Sequence, residues 1–174
     1  MNYERITPAT RDELVEWLMS DTWPFHGRAI PDRTRIEAMV DGGAFWGDEA
    51  EAFWIHAEQH REGVVRLFDL DDPSPLFDLR LKTASRGRGI GTAAVRWLTS
   101  YLFESRTHLR RVAGYTRIDN IGMRRVFERC GYVKEAHHRE EWSDADGRLF
   151  DAVGYGVLRS DWENGTTTPV HWTT

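Results

Sequence analysis

RGRGIGTAAVRWL, Arg86 to Leu98, sets three glycines and two arginines at the entrance of an otherwise amphipathic helix. Ile90, Ala94, Trp97, Leu98, Tyr101 and Leu102 recur at three- and four-residue steps, the spacing of one helix face. Glycine favours loops over helix, so the junction needs a reason. At a helix N-terminus the first N–H groups lack partners, and an anion placed there gains several hydrogen bonds. Glycines let the main chain come close to it. Arg86, Gly87, Arg88, Gly89, Ile90, Gly91 and Thr92 therefore read as a diphosphate cradle, with a helix entry that needs glycine only for its turn as the alternative.

Two other phosphate motifs fail. A nucleotide-hydrolysing loop ends in Gly-Lys-Ser/Thr, whereas Gly91 is followed by Thr92 and Ala93. A dinucleotide fingerprint runs G-x-G-x-x-G with an acid about twenty residues on; Gly87, Gly89 and Gly91 run G-x-G-x-G, and Arg111 stands near that distance.

Upstream of the loop, AFWIHAEQ (52 to 59), GVVRLFDL (63 to 70) and PLFDLRL (75 to 81) read as an antiparallel meander. In front of them, Thr10 and Glu13 have capping-box spacing and predict a helix from residue 11, TWPFHG (22 to 27) is a shaped loop, and a second helix covers Arg33 to Val40. Downstream, LRRVAGYT (109 to 116) is a strand, Met123, Val126, Phe127 and Cys130 mark a helix stopping at Gly131, and two strands around SDADG form a long hairpin. The order predicts a mixed α+β fold, one sheet carrying helices. Residues 1–164 are expected to form one domain and residues 165–174 a polar tail.

Composition narrows the partners. With 23 Lys+Arg against 28 Asp+Glu the formal charge is −5, which argues against a nucleic-acid-seeking surface. An RNA-binding reading would rest on Arg86, Arg88, Arg110 and Arg111 alone. Cys130 is the single cysteine, so no internal disulfide forms and a reducing compartment is expected. The polar start MNYERITPAT has no basic-then-apolar leader and no apolar run is long enough to span a membrane; a cytoplasmic chain without membrane partners is expected.

Arg86, Gly89 and Gly91 fall on the pattern R/Q-x-x-G-x-G/A, directly after a strand and opening a helix. Asp119-Asn120 precede a second helix, MRRVFERCGY (123 to 132), which an Asn opens and a Gly-aromatic pair ends. With the late hairpin ending in YGVLRSDW, these features over residues 3 to 163 resemble the GNAT superfamily of acetyl-CoA dependent N-acetyltransferases. The branch resembled contains the ribosomal-protein N-terminal acetyltransferases and their small-molecule-modifying relatives. The resemblance implies a mostly antiparallel sheet of about six to seven strands, with a splayed parallel strand pair at the cofactor cleft. It implies acetyl-CoA as co-substrate and a peptide or small-molecule amine as acceptor. No metal is expected, and a homodimer through the late hairpin fits by similarity. The main chain of Leu79, Arg80 and Leu81 would pair with the pantetheine arm, Gly87 to Thr92 would hold the diphosphate, Asn120 would contact the arm or order its neighbours, and Arg124 would reach the adenosine-side phosphate or simply face solvent.

Aminolysis of a thioester needs a base for the ammonium, a donor for the oxyanion and a proton for the thiolate. In PLFDLRL, alternation puts Phe77, Leu79 and Leu81 on one face, Asp78 and Arg80 on the other. Charge on an interior strand marks a cleft, so Asp78 is the first candidate base, against a plain Asp78–Arg80 pair. His26 is the second, because an imidazole titrates near neutrality. A main-chain N–H near Leu81 would polarise the carbonyl. No acid is assigned, since Met123 and Phe127 stand where the family often carries Ser or Tyr. Trp23, Phe25, His26 and Trp54 are the expected substrate pocket, the loop aromatics suiting an apolar or planar acceptor. A coenzyme A binding module without turnover is the alternative.

Overall fold

The computed structural model describes residues 1–172. Strand β1 spans Asn2–Arg5, β2 Ala50–Ala57, β3 His60–Phe68, β4 Leu76–Leu81, β5 Arg111–Arg117, β6 Val133–Ser143 and β7 Leu149–Leu158. Helices are α1 (Arg11–Met19), α2 (Arg33–Asp41), α3 (Ile90–Ser105), α4 (Ile121–Arg129) and α5 (Arg159–Asn164), with short 3-10 turns at Pro8–Thr10 and Thr83–Ser85. All seven strands lie in one sheet, ordered β1-β2-β3-β4-β5-β7-β6. Every neighbouring pair is antiparallel except β4 and β5. This is the expected α+β architecture.

Alternation along the strands divides the side chains into two cores. On one face Phe53, Ile55, Val65, Leu67 and Phe77 pack with Leu98, Leu102 and Phe127 of α3 and α4. On the other, Ala52, Trp54 and Val64 pack with Leu14, Trp17, Leu18 and Trp23 around α1 and α2. Trp17 stacks on Trp23 at 5.1 Å and meets Trp54 edge-on at 5.8 Å.

β4 and β5 touch through a single register pair, Leu76 and Ala113. Their starts are held by Ala113 N–H donating to the Pro75 carbonyl and Arg110 N–H to that of Pro73. Beyond that point α4 keeps them apart, because Phe127 packs against Phe77 from β4 and stacks on Tyr155 from β7. The strands diverge into a slot at the ends that lead to α3 and α4.

Several local readings shift. Thr10 does not cap α1; Thr7 N–H donates to Thr10 Oγ1 at 3.3 Å, so the reciprocal pair lies in the 3-10 turn ahead of the helix. α2 is capped by Asp32, whose Oδ1 accepts from Arg35 N–H at 3.1 Å. The tail begins tied down rather than free: Asp161 accepts from Thr166 Oγ1 and from Thr168 N and Oγ1, at 2.8 to 2.9 Å. Thr173 and Thr174 lie outside the described residues.

Candidate active site

The main chain of β4 decides what the slot offers. Lys82 N–H donates to the Glu62 carbonyl beyond the end of the β3 pairing, whereas the Pro75 carbonyl is used by β5. Main-chain direction alternates along a strand, and the β3–β4 register is unbroken from Leu76 to Leu81. Asp78 and Arg80 therefore spend their main-chain groups on β3, and Leu79 and Leu81 present theirs to the slot, where no strand stands opposite. The Leu81 carbonyl accepts from Arg86 Nε at 3.2 Å. Leu79 and Leu81 are thus placed to pair with an extended ligand; Arg80 is not, and its expected part in cofactor binding is corrected on that ground.

The glycine loop closes one end of the slot. Gly87 and Gly89 have φ of +75° and +82°, a region that L side chains rarely adopt, and a Cβ added at either would meet only open space. No side chain caps α3 among the described residues, and its first helical bond runs from Ala93 N–H to the Gly89 carbonyl. The N–H groups of Ile90, Gly91 and Thr92 are the orphan donors of the helix start. A cavity of about 420 Å³ opens before them, lined among others by Leu79, Leu81, Gly87, Gly89, Gly91, Thr92 and Asn120.

Three arginines were expected to serve this loop or its neighbour, and they part company. Arg86 borders the cavity but is engaged, its Nη2 donating to the Thr22 carbonyl at 3.0 Å. With Asp21, which accepts from Thr83 N–H at 2.6 Å and from its hydroxyl, it ties the α1–α2 loop to the glycine turn. Arg88 points to Glu58 and Glu62, each at 3.7 Å, away from the cavity. Arg124 turns to the Ile118 carbonyl at 3.0 Å, so its expected phosphate contact is corrected; Arg125 and Arg129 line the cavity instead. Ile90 is buried in the core and offers only its main chain. Asn120 caps α4, its Oδ1 accepting from Met123 N–H at 3.2 Å while its Nδ2 donates to Thr116 Oγ1.

Across the slot lies a second cavity of about 290 Å³, sharing Phe25, His26, Leu79, Asn120 and Met123 with the first. Here the two candidate bases meet: His26 Nε2 is 2.8 Å from Asp78 Oδ1. Asp78 Oδ2 accepts from Arg80 Nε at 3.2 Å. Burial pushes the Asp78 carboxyl up, but Arg80, His26 and Arg66 outweigh it and hold it far below the usual carboxylate range. A carboxylate so stabilised, with both oxygens engaged, is a poor proton acceptor. The other ring nitrogen, His26 Nδ1, is buried without a hydrogen-bond partner. His26 and Arg80 also border a third cavity of about 500 Å³, between α2 and the β6–β7 turn.

The aromatic loop is only partly a pocket wall. Phe25 lines both slot cavities. Trp23 borders the larger one, yet is 1% exposed and donates Nε1–H to the Leu18 carbonyl at 2.8 Å. Trp54 is fully buried and reaches neither, so its expected substrate role is corrected. Arg117, missed in the sequence, clamps the loop: it pairs with Asp119 at 2.6 Å and lies over Phe150 at 3.4 Å and Phe25 at 5.4 Å. Arg66 was also missed, although it carries the signal that singled out Asp78, a charge on an interior strand.

A slot between splayed parallel strands, with a glycine turn and an uncapped helix at its mouth, is the framework of one class of protein. Residues 2–133 match the family described as Acetyltransferase (GNAT) domain, and the chain belongs to that family. Over 103 residues it is 34% identical to the Bacillus subtilis (strain 168) protein named "Putative ribosomal N-acetyltransferase YdaF", covering 58% of this chain and about half, 55%, of that relative. Among solved structures, one titled "Crystal structure of Probable acetyltransferase" superposes with a TM-score of 0.76 at 22% identity, over 92% of this chain and 93% of its own. The Vibrio cholerae spermidine N-acetyltransferase in complex with CoA and spermine gives 0.75 at 17% identity, over 94% and 98%. At such identities the likeness is one of fold.

Proposed function

We propose that the chain transfers an acetyl group from acetyl-CoA to a primary amine, by direct attack with both ligands bound. The observation that carries this reading is the slot, where the main chain of Leu79 and Leu81, with no strand opposite, runs toward the uncapped start of α3. The donor set fits the ligand: an amide-bearing arm pairs with a strand edge, and a diphosphate takes the N–H groups of a helix start. When bound, acetyl-CoA supplies the thioester. The CoA complex of the Vibrio cholerae protein supports the same choice. The name of the Bacillus subtilis relative supports a peptide N-terminus as one acceptor class.

His26 is assigned as the base and Asp78 as the group that positions it. With Nε2–H donated to Asp78, the lone pair of the imidazole falls on Nδ1, and a proton arriving there is stabilised by the carboxylate. The N–H of Leu81 is assigned to the carbonyl oxygen. Met123 borders both cavities and carries no proton to give. Cys130 lines neither, its thiol is pushed up by burial, and it rests on the Thr92 carbonyl at 3.5 Å, so neither side chain is assigned to protonate the departing thiolate. The absent donor at Met123 is what favours a second reading, a binding module without turnover.

A thermal melt with acetyl-CoA at a hundred times its dissociation constant should show about 2.7 kcal/mol of stabilisation in the wild type and none in a folded Gly89→Trp variant. In His26→Gln the stabilisation should remain while kcat falls about 10²- to 10⁴-fold. A wild type that does not respond overturns the cofactor assignment. A response without thiol release to any amine establishes the binding module.

A further inference from the structure

On the acceptor side of the slot, β3 brings in a cation that makes no direct ion pair among the described residues. Arg66 stands in register with Asp78 on the same face of the sheet. Both oxygens of that carboxylate are already taken, one by His26 and one by Arg80. Arg66 forms no ion pair among the described residues, and its Nε is buried without a hydrogen-bond partner. Its guanidinium lies over the Phe68 ring at 4.3 Å instead. Burial weakens its hold on its proton, Asp78 and Asp69 nearby act against that and Arg80 with it, and an arginine does not release the proton. The smaller cavity therefore holds two arginines and one carboxylate, an excess of one positive charge beside aromatic walls from Phe25, Phe68 and Trp142. A partly buried guanidinium without a hydrogen-bonded partner is costly, and the structure keeps this one where a ligand can supply the partner.

We propose that Arg66 determines acceptor specificity by receiving a carboxylate on the amine substrate, whose apolar or aromatic body lies against Phe25, Phe68 and Trp142. The acceptor class is a small amine bearing its own carboxylate, an amino acid rather than a polyamine. A planar guanidinium with two parallel N–H donors matches a carboxylate, and the same charge repels a polycation. The inference rests on the transferase reading for the identity of the site as an acceptor cavity.

The probe is a product analogue, so the measurement needs no turnover. Calorimetric titration compares N-acetylphenylalanine with its primary amide, in the presence of saturating coenzyme A, on wild type, Arg66→Gln and Arg66→Lys. The carboxylate should bind the wild type at least about tenfold more tightly than the amide, a difference of about 1.4 kcal/mol. The ratio should fall to about one in Arg66→Gln and lie between in Arg66→Lys. The acetyl-CoA stabilisation should persist in all three proteins, which shows that they are folded. Equal binding of the two probes, preference for the amide, no binding of either, or a preference that survives Arg66→Gln overturns the proposal. Loss of acetyl-CoA stabilisation in the wild type overturns the transferase reading separately.

Discussion

The carboxyl of Asp78 sits between Arg80 and His26, and its charged state leaves a signature in stability. Its folded-state pKa is depressed, so the stabilisation is fully present above the ordinary carboxyl value of about 3.9 and is lost as pH falls toward the folded value. Asp78→Asn should therefore lower stability by roughly 2–3 kcal/mol at neutral pH, removing a charge-assisted pair in a buried setting. Urea melts should show this gap above about pH 5 and its closing as pH falls below about pH 4. A gap that stays open in strong acid contradicts the assignment. The two-residue alternation in PLFDLRL was enough to set Asp78 apart from the leucines. Its partner was not legible, because nothing in a linear pattern ties a loop histidine to a strand in the sheet centre. Trp54 shows the converse: an aromatic side chain looks the same in sequence whether it walls a pocket or fills a core.

At the scale of elements, the width of the slot is set by how closely α4 can approach β5. Gly114 permits that approach, since a Cβ there would stand 2.8 Å from Phe127 Cζ, closer than real side chains come, and a tight 3.1 Å from Phe77 Cε1. Gly114→Val should push α4 outward, destabilise the fold by about 1–3 kcal/mol as overpacking does, and weaken acetyl-CoA binding. Urea melts and a ligand titration on the same variant would check both; unchanged affinity would mean that α4 does not set the slot. Helix α3 was readable from its periodicity, α4 from the Asn that opens it and the glycine that ends it, and α2 from the glycine pair that follows it. β1 and α5 were not. β1 is a short edge strand in which only Tyr3 is half-buried, stacking on Trp97 at 3.9 Å. α5 has six residues, and Arg159 at its start is spent on the carbonyls of Phe103, Arg106 and Leu109. The pattern of such a piece belongs to its neighbours rather than to itself.

At the scale of the whole molecule, one sheet separates two apolar cores, and the chain opens that partition between β4 and β5. Strand order carries information that the sequence does not spell out. The return strand of the late hairpin, β7, inserts beside β5 and leaves β6 at the edge, because pairing between distant strands is set by the fold and not by local pattern. The unfinished pairing of β4 has a consequence in time as well as in space. Alternate amides along one strand should behave as two populations toward deuterium. Those of Asp78 and Arg80 are bonded to β3 and should exchange slowly whether or not ligand is present. Those of Leu79 and Leu81 face the opening and should exchange fast in the free protein, then slow by about tenfold or more with acetyl-CoA. Residue-resolved exchange would read this odd-even rhythm directly, and uniform protection along β4 would contradict it. The ligand would act, for the length of its stay, as the strand that the chain leaves out.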